Sequence, residues 1–422
     1  MAKADRDLDG VQSNGFRRYV IVGNGFAGTT AAEQLRKADA SCSITLFTDE
    51  PYTLYNRIAL PPLLRKQVTQ QKVIIRDEAW HEKNNINLFL RTLVESVNAE
   101  ERYVTAAGKS FPYDALLVAT GGRPHPPPYD SAAGAANVFN FQYMDETLAI
   151  SEQLEHSKAA VSVGGSFIAY ELAEAFASRG VETHWVMRGP RFLRRMIDDD
   201  AGQLVDQAAK ADGVHMHYGE QITDLVRSNG VAAKIILSSG SEIEADCFGF
   251  GLGLALNNEV LEGTPVEVSA NGILCDDRLE TNVKGIFAAG DVADFYDPIL
   301  EMRYRMGTWN NAGAHGKVVA ANMAGGDVRY HDVPEYSSKL FSEQTILQFG
   351  LSPEYRDDLE TVRKLETETK RYRALYFLNG RLVGGLLLGK GNMAGKRKYV
   401  EAIKSKAVFP REEWTAMLDW RA

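Results

Sequence analysis

The chain has 422 residues, 45% of them hydrophobic and 24% charged, and a net charge of −9 at pH 7. That length suits two or three domains of ordinary globular composition, and the acidic balance argues against nucleic acid or an anionic membrane as the main partner. No apolar run approaches the roughly 18 residues of a membrane span. The polar stretch 1–17 reads as a tail without a signal core, and Cys42, Cys247 and Cys275 lack a C-x-x-C spacing, so a reducing, cytoplasmic compartment is expected.

The first element is a β-branched strand at 19–22 that runs into Gly23-Asn24-Gly25-Phe26-Ala27-Gly28, with helix formers over 29–37. Strand, glycine turn and helix in this order suit a dinucleotide. Gly23 permits the turn, Gly25 lets a pyrophosphate approach the backbone, and Gly28 lets helix and strand pack closely. A glycine turn of some other α/β fold is the alternative. A second strand at 43–48 ends at Asp49-Glu50, and Asp49 lies 26 residues past Gly23, where an acid takes ribose hydroxyls. Any acidic turn before Pro51 would look the same, but the two features together favour dinucleotide binding.

Residues 51–64 form a proline-punctuated loop containing Tyr55-Asn56-Arg57. Short elements around a hairpin are expected at 73–80, 86–91 and 103–105. A buried strand at 113–118 enters a turn at Thr120-Gly121, and the proline-rich stretch 125–128 reads as a linker. A short strand and a helix follow over 138–156. A second strand–glycine–helix unit begins at 160, with Gly164-Gly165-Ser166-Phe167-Ile168-Ala169 set 141 residues after Gly23 and a strand at 183–187 behind it. The repeat implies two dinucleotide sites, or one site and a degenerate descendant of another.

His215 and His217 alternate on a strand-like run and read as surface. Further strands end at Gly253 and at Gly290-Asp291, before a small-residue helix over 310–324. From 329 the texture changes to short strands at 345–349, 373–378 and 382–388 and a helix at 396–404. The expected architecture is α/β: two Rossmann-like three-layer domains and a small α+β C-terminal domain.

The ordered set of G-x-G-x-x-G with an acid, Ala-Thr-Gly, a second fingerprint and Ala-Ala-Gly-Asp resembles the two-dinucleotide-binding-domain flavoproteins, the pyridine nucleotide–disulfide oxidoreductase superfamily. Val-Gly-Asn-Gly, Asp-Glu-Pro-Tyr and Tyr-Asn-Arg look like the branch holding NAD(P)H-dependent rubredoxin or ferredoxin reductases and the flavin portion of nitrite reductases. The resemblance implies an FAD domain at 18–124 and 264–328, an NAD(P)-type domain at 125–263 and an interface domain at 329–422. It implies that Gly23, Gly25, Phe26, Ala27 and Gly28 hold the FAD pyrophosphate, Asp49 the ribose, and Arg57 the pyrophosphate side of the loop. Val94 would meet the adenine, Thr120 and Gly121 would close over the cofactor, Gly290-Asp291 would take the ribityl chain, and Trp309 would sit near the flavin. Gly164, Gly165, Ser166, Ala169, Arg188 and Gly253 would meet NAD(P)H.

The second site departs from the family pattern. Ser166 stands where the close-approach glycine belongs, with its side chain expected towards the pyrophosphate, and Ala169 stands at the third glycine. Met187-Arg188 replaces the acid that binds a 2′-hydroxyl, and Arg191, Arg194 and Arg195 lie near. That cluster suits a 2′-phosphate, which favours NADPH over NADH, or else a solvated loop offset by Asp198-Asp199-Asp200. Ala255-Leu256-Asn257 replaces Arg-Pro-Asn. In the first domain Leu60-Pro61-Pro62 removes the family's lysine, so Glu171, the candidate carboxylate beside the flavin, is expected to lack its usual ion-pair partner.

No cysteine pair follows the first helix, which excludes disulfide reductase chemistry. The function expected is FAD-dependent transfer of electrons from NAD(P)H to a rubredoxin- or ferredoxin-like protein or a quinone-like acceptor. A flavoprotein subunit or redox sensor with a degenerate nicotinamide site is an alternative, and so is a flavin dehydrogenase of a small organic substrate. The basic run Lys390, Lys396, Arg397, Lys398, Lys404, Lys406 would dock a small acidic carrier or be a solvated helix face, and a homo-oligomer or complex subunit is expected.

Overall fold

The computed structural model describes residues 17–420, so the expected tail, apart from Arg17, lies outside the described residues. The chain forms two compact units. One takes the described residues up to Asn56 with Ile74–Gly122 and Leu256–His331; the other takes Arg57–Val73, Arg123–Ala255 and the described residues from Asp332 on.

The first unit is built on a five-stranded parallel sheet in the order Ile286–Ala288, Ala115–Val118, Arg18–Val22, Ser43–Phe47, Ile86–Phe89. Four of its strands are short apolar runs buried along nearly their whole length, as expected of a sheet covered on both faces, while the outer strand Ile86–Phe89 is buried only at Ile86. The helix Phe26–Ala38 packs against Trp309–Met323, whose Gly316 lets the two backbones meet. A Cβ there would lie 2.5 Å from the Ala27 carbonyl oxygen. The unit also holds an antiparallel meander of Val94–Asn98, Tyr103–Ala106 and Lys109–Pro112, and a mixed four-stranded sheet of Val268–Ser269, Gly272–Cys275, Ala293–Asp297 and Met302–Tyr304 whose two central strands run parallel.

The second unit repeats this plan. Its parallel sheet runs Val214–Tyr218, Glu182–Met187, Ala159–Val163, Cys247–Phe250, Val138–Asn140, again with the fingerprint strand in the middle. A three-stranded meander over Ile222–Ser228, Val231–Leu237 and Glu242–Glu244 again precedes the strand that returns beside the fingerprint strand. The C-terminal part is a five-stranded antiparallel sheet in the order Glu335–Lys339, Thr345–Gly350, Arg381–Leu388, Arg371–Leu378, Glu360–Glu366, followed by the helix Lys396–Lys404.

Several local expectations are corrected. Ile86–Phe89 is the outer strand of the parallel sheet rather than part of a hairpin, and 73–80 spans the end of one short helix and the start of another. Cys275 closes a buried strand. His217 is half-buried, its Nε2 3.1 Å from His184 Nδ1, while His215 is exposed. Among the described residues no helix is long and apolar enough to cross a membrane.

Candidate dinucleotide sites

The first glycine turn is shaped by sterics. Gly23 has φ +114, and a Cβ on it would lie 2.2 Å from the Ala119 carbonyl oxygen; a Cβ on Gly28 would lie 2.0 Å from that of Gly23. Neither position admits a side chain. Gly25 differs, because a Cβ there would meet nothing within 4 Å. Its glycine keeps backbone open on the ligand-facing side rather than relieving a clash. Gly25 is also the N-cap of Phe26–Ala38 and offers no side-chain cap, so the first amides of a 13-residue helix point out unpaired by any cap, an arrangement that favours an anion. Beside them Asn24 is buried, its Oδ1 accepting from the Thr29 hydroxyl at 2.8 Å and its Nδ2 without a hydrogen-bond partner among the described residues. Open glycine, uncapped helix and unpartnered amide fit the pyrophosphate of a dinucleotide.

Groups suited to the rest of such a ligand gather in the same unit. Asp49 is exposed just after its strand and makes no ion pair or hydrogen bond among the described residues, whereas Glu50 accepts from the Tyr55 hydroxyl at 2.6 Å. Thr48 accepts from the Thr92 amide at 2.8 Å, which brings the approach to the buried Val94 beside this strand end. Thr120-Gly121 is clamped by Asn257: its amide Nδ2 donates to the Thr120 carbonyl at 3.1 Å, its backbone amide to the Gly121 carbonyl at 3.0 Å, and the Thr120 hydroxyl donates back to its carbonyl. Gly290 has φ +77, and a Cβ on it would lie 3.4 Å from that of Ala27; a Cβ on Gly307 would lie 3.0 Å from the Asp291 carboxylate. Phe26 stacks on Trp309 with centroids 4.1 Å apart, over Gly313, where a Cβ would lie 2.6 Å from the ring. Arg57 belongs to the other unit, where its Nη1 donates to the Gln142 carbonyl at 2.7 Å and its guanidinium lies over Tyr143.

The second fingerprint is built differently. Gly164 has φ +128 and faces the Gly251 carbonyl, and the close packing supplied by a third glycine in the first turn comes here from Gly251 against Ala169. A Cβ on Gly251 would lie 2.6 Å from the Ala169 nitrogen. Ala169 is therefore accommodated by a glycine on the neighbouring strand end. Ser166 was expected to point at the ligand. Instead it caps its helix: its hydroxyl donates to the Gly251 carbonyl at 2.9 Å and accepts a long contact from the Ala169 amide at 3.4 Å. Gly165 is exposed, and Gly253, at φ +93, accepts from the His125 amide at 3.0 Å through its carbonyl.

The arginines after this strand separate. Arg191 is committed to its own loop, pairing with Asp199 at 2.6 Å and donating to the Ile197 carbonyl at 2.8 Å. Asp198 caps the helix Asp199–Ala211 and binds Tyr372 and Arg363. Arg188, Arg194 and Arg195 stay exposed and make no side-chain hydrogen bond or ion pair among the described residues.

Glu171 is not remote from a cation. Arg65, just after the helix Leu60–Leu64, pairs with Glu174 one turn along and acts on Glu171 electrostatically. Burial pushes the Glu171 carboxyl up to about 8, with Arg65 opposing and Glu174 adding to the rise. Arg65 is not legible as its partner from sequence because it lies beyond the loop position where the family carries a lysine. All three cysteines are buried, and burial raises each thiol above its ordinary value, which disfavours the thiolate at all three.

Known proteins share this plan. The family model described as pyridine nucleotide-disulphide oxidoreductase matches residues 17–316. Rubredoxin-NAD(+) reductase of Ectopseudomonas oleovorans is 28% identical over 388 residues, covering 90% of this chain and 98% of its own. The anthranilate 1,2-dioxygenase system ferredoxin–NAD(+) reductase component of Burkholderia cepacia is 30% identical over 323 residues, 75% of this chain and 78% of its own. Among solved structures, the covalent putidaredoxin reductase–putidaredoxin complex has a chain that aligns with a TM-score of 0.88 at 22% identity, covering 97% of this chain and 96% of that one, a likeness of fold. With two Rossmann-like units and an antiparallel C-terminal sheet, the chain belongs to the pyridine nucleotide-disulphide oxidoreductase family and is a pyridine nucleotide-dependent flavin oxidoreductase.

Proposed function

We propose that the chain is an NADPH-dependent reductase of a small iron–sulfur electron carrier of the rubredoxin or ferredoxin kind, with FAD as its resident cofactor. The cofactor domain is assigned to 18–124 and 264–328, the coenzyme domain to 125–263 and a third domain to 329–422. The carrying observation is a glycine cradle in each unit together with three buried thiols that form no pair. Such a chain has two places for dinucleotides and no dithiol relay, so electrons leave directly for an external acceptor.

FAD, when bound, supplies the exchange between a two-electron hydride donor and a one-electron acceptor, chemistry no side chain offers. The residues of the first unit bind and orient it. Gly23, Gly25, Phe26, Ala27 and Gly28 present the helix amides to the pyrophosphate, Asp49 takes the ribose diol, and Val94 lines the adenine side. Thr120 and Gly121 are held in place by Asn257, Gly290-Asp291 takes the ribityl hydroxyls, and Trp309 packs with Phe26 at the head of its helix. Gly164, Gly165, Ser166, Ala169 and Gly253 form the coenzyme cradle, and Arg188 gives it a charge-assisted partner for a 2′-phosphate. The named relatives are NAD(+) reductases, and the reading of NADPH for this chain rests on Met187-Arg188 alone.

The basic C-terminal run does not support docking of an acidic carrier. Lys390, Lys396, Arg397 and Lys404 pair with Glu343, Glu335, Glu401 and Asp332, which offsets four of the six cations of the run. Steady-state reduction of oxidised rubredoxin and ferredoxin, with a soluble quinone in parallel, tests the acceptor class. Turnover with the quinone alone overturns it.

A further inference from the structure

We infer that His315, with Asn311 one turn before it, is a positioning residue for the cofactor: the pair fixes both flanks of Asp291 from a single helix face. This rests on the reading of Gly290-Asp291 as part of the FAD site. His315 is fully buried in Trp309–Met323, and its Nδ1 accepts from the Gly290 amide at 3.2 Å. That amide belongs to a residue at φ +77, in a turn that cannot be tightened by a side chain of its own. An Nδ1 acceptor requires the tautomer with its proton on Nε2. The ring is held edge-on between Phe295 at 4.6 Å and Tyr330 at 5.2 Å, themselves in contact at 4.8 Å.

Tyr330 links this box to the other flank. Its hydroxyl donates to Asn311 Oδ1 at 2.8 Å, and Asn311 Nδ2 donates to the Met306 carbonyl at 2.8 Å. Gly307 follows, and a Cβ on it would lie 3.0 Å from the Asp291 carboxyl carbon. One side chain thus holds the amide before Asp291, and the other holds the segment lying against its carboxylate. Spacing of i, i+4 places both on one face of the helix. Burial also drives the imidazole down to about 3, so the acceptor persists through ordinary pH.

Apoprotein titrated with FAD and followed by flavin fluorescence tests this. His315→Leu keeps apolar volume and removes the acceptor; its FAD affinity is expected to fall at least tenfold. His315→Asn places an oxygen near the Nδ1 position and is expected within about threefold of wild type, whereas His315→Gln carries its oxygen near Nε2 and falls with the leucine variant. Val319→Ala, a fully buried truncation on the same helix, controls for general loosening and is expected to leave affinity within about twofold. Wild-type affinity in His315→Leu, or an equal loss in Val319→Ala, overturns the proposal. If the leucine variant does not fold, equal affinity of the Asn and Gln variants overturns it. Wild-type apoprotein that takes up no FAD overturns instead the reading of the site.

Discussion

The Ser166 hydroxyl donates to the Gly251 carbonyl at 2.9 Å, and this bond distinguishes the second fingerprint from the first. At the matching place Gly25 has no side chain and leaves its helix uncapped. One helix end is open to a phosphate and the other is partly closed by its own residue.

Exchanging the two residues should exchange the behaviours. Gly25→Ser adds a cap, so the apoprotein should gain a few tenths of a kcal/mol while FAD affinity falls about tenfold or more. Ser166→Gly gives up a comparable few tenths and should lower the KM for NADPH several-fold. Thermal melts and steady-state kinetics check both; a higher KM in Ser166→Gly would show that the hydroxyl serves the coenzyme.

Gly28→Ala should act through stability instead. Its Cβ would lie 2.0 Å from the Gly23 carbonyl oxygen, so backbone must move, at a cost of about 3 kcal/mol or more. Denaturant unfolding of the apoprotein should show that loss; an unchanged midpoint would contradict the close approach.

Arg188→Ala should raise the KM for NADPH about 10- to 100-fold, the worth of a charge-assisted bond to phosphate, and leave NADH within about threefold. Equal effects on both coenzymes would remove Arg188 from the 2′ position.

Glu171 and His315 give opposite pH dependences. Glu171 is raised, so between its unfolded value and about 8 the folded state holds a proton that the unfolded state lacks, and stability falls as pH rises through that window. Glu171→Gln should therefore stabilise the protein more at pH 8 than at pH 5. His315 is lowered from 6.5 to about 3, so its contribution is complete above 6.5 and is lost as pH falls towards 3. Unfolding measured at several pH values separates the two.

Arg65→Met should destabilise by about 2–4 kcal/mol, because it leaves the mostly buried Glu174 and the neighbouring Glu171 without their cation. Restoration of most of that loss by Glu174→Gln in the same chain is the expected signature; an additive further loss would contradict the pairing.

The glycine turns, their strands and the internal repeat were legible because each is local: a residue type at a fixed spacing suffices. The polar edge strands Glu335–Lys339 and Glu360–Glu366 were not, since an exposed edge carries little apolar alternation. Both meanders were largely missed for a similar reason, their strands being only partly buried. Within the site, Asn257 stands in the sequence only as the remnant of a motif, and its clamp on Thr120-Gly121 spans 137 residues. Arg65 and Glu174 are 109 apart, and His315 sits alone in a small-residue helix. Contacts of that range leave no spacing to read.

The most direct test of the central claim is an anaerobic titration of the purified protein with NADPH and, separately, NADH, followed by its visible flavin absorbance. Bleaching at a lower concentration of NADPH than of NADH, with colour restored on adding oxidised rubredoxin or ferredoxin, is the expected result. A protein without flavin absorbance, or one that neither coenzyme bleaches, would contradict it.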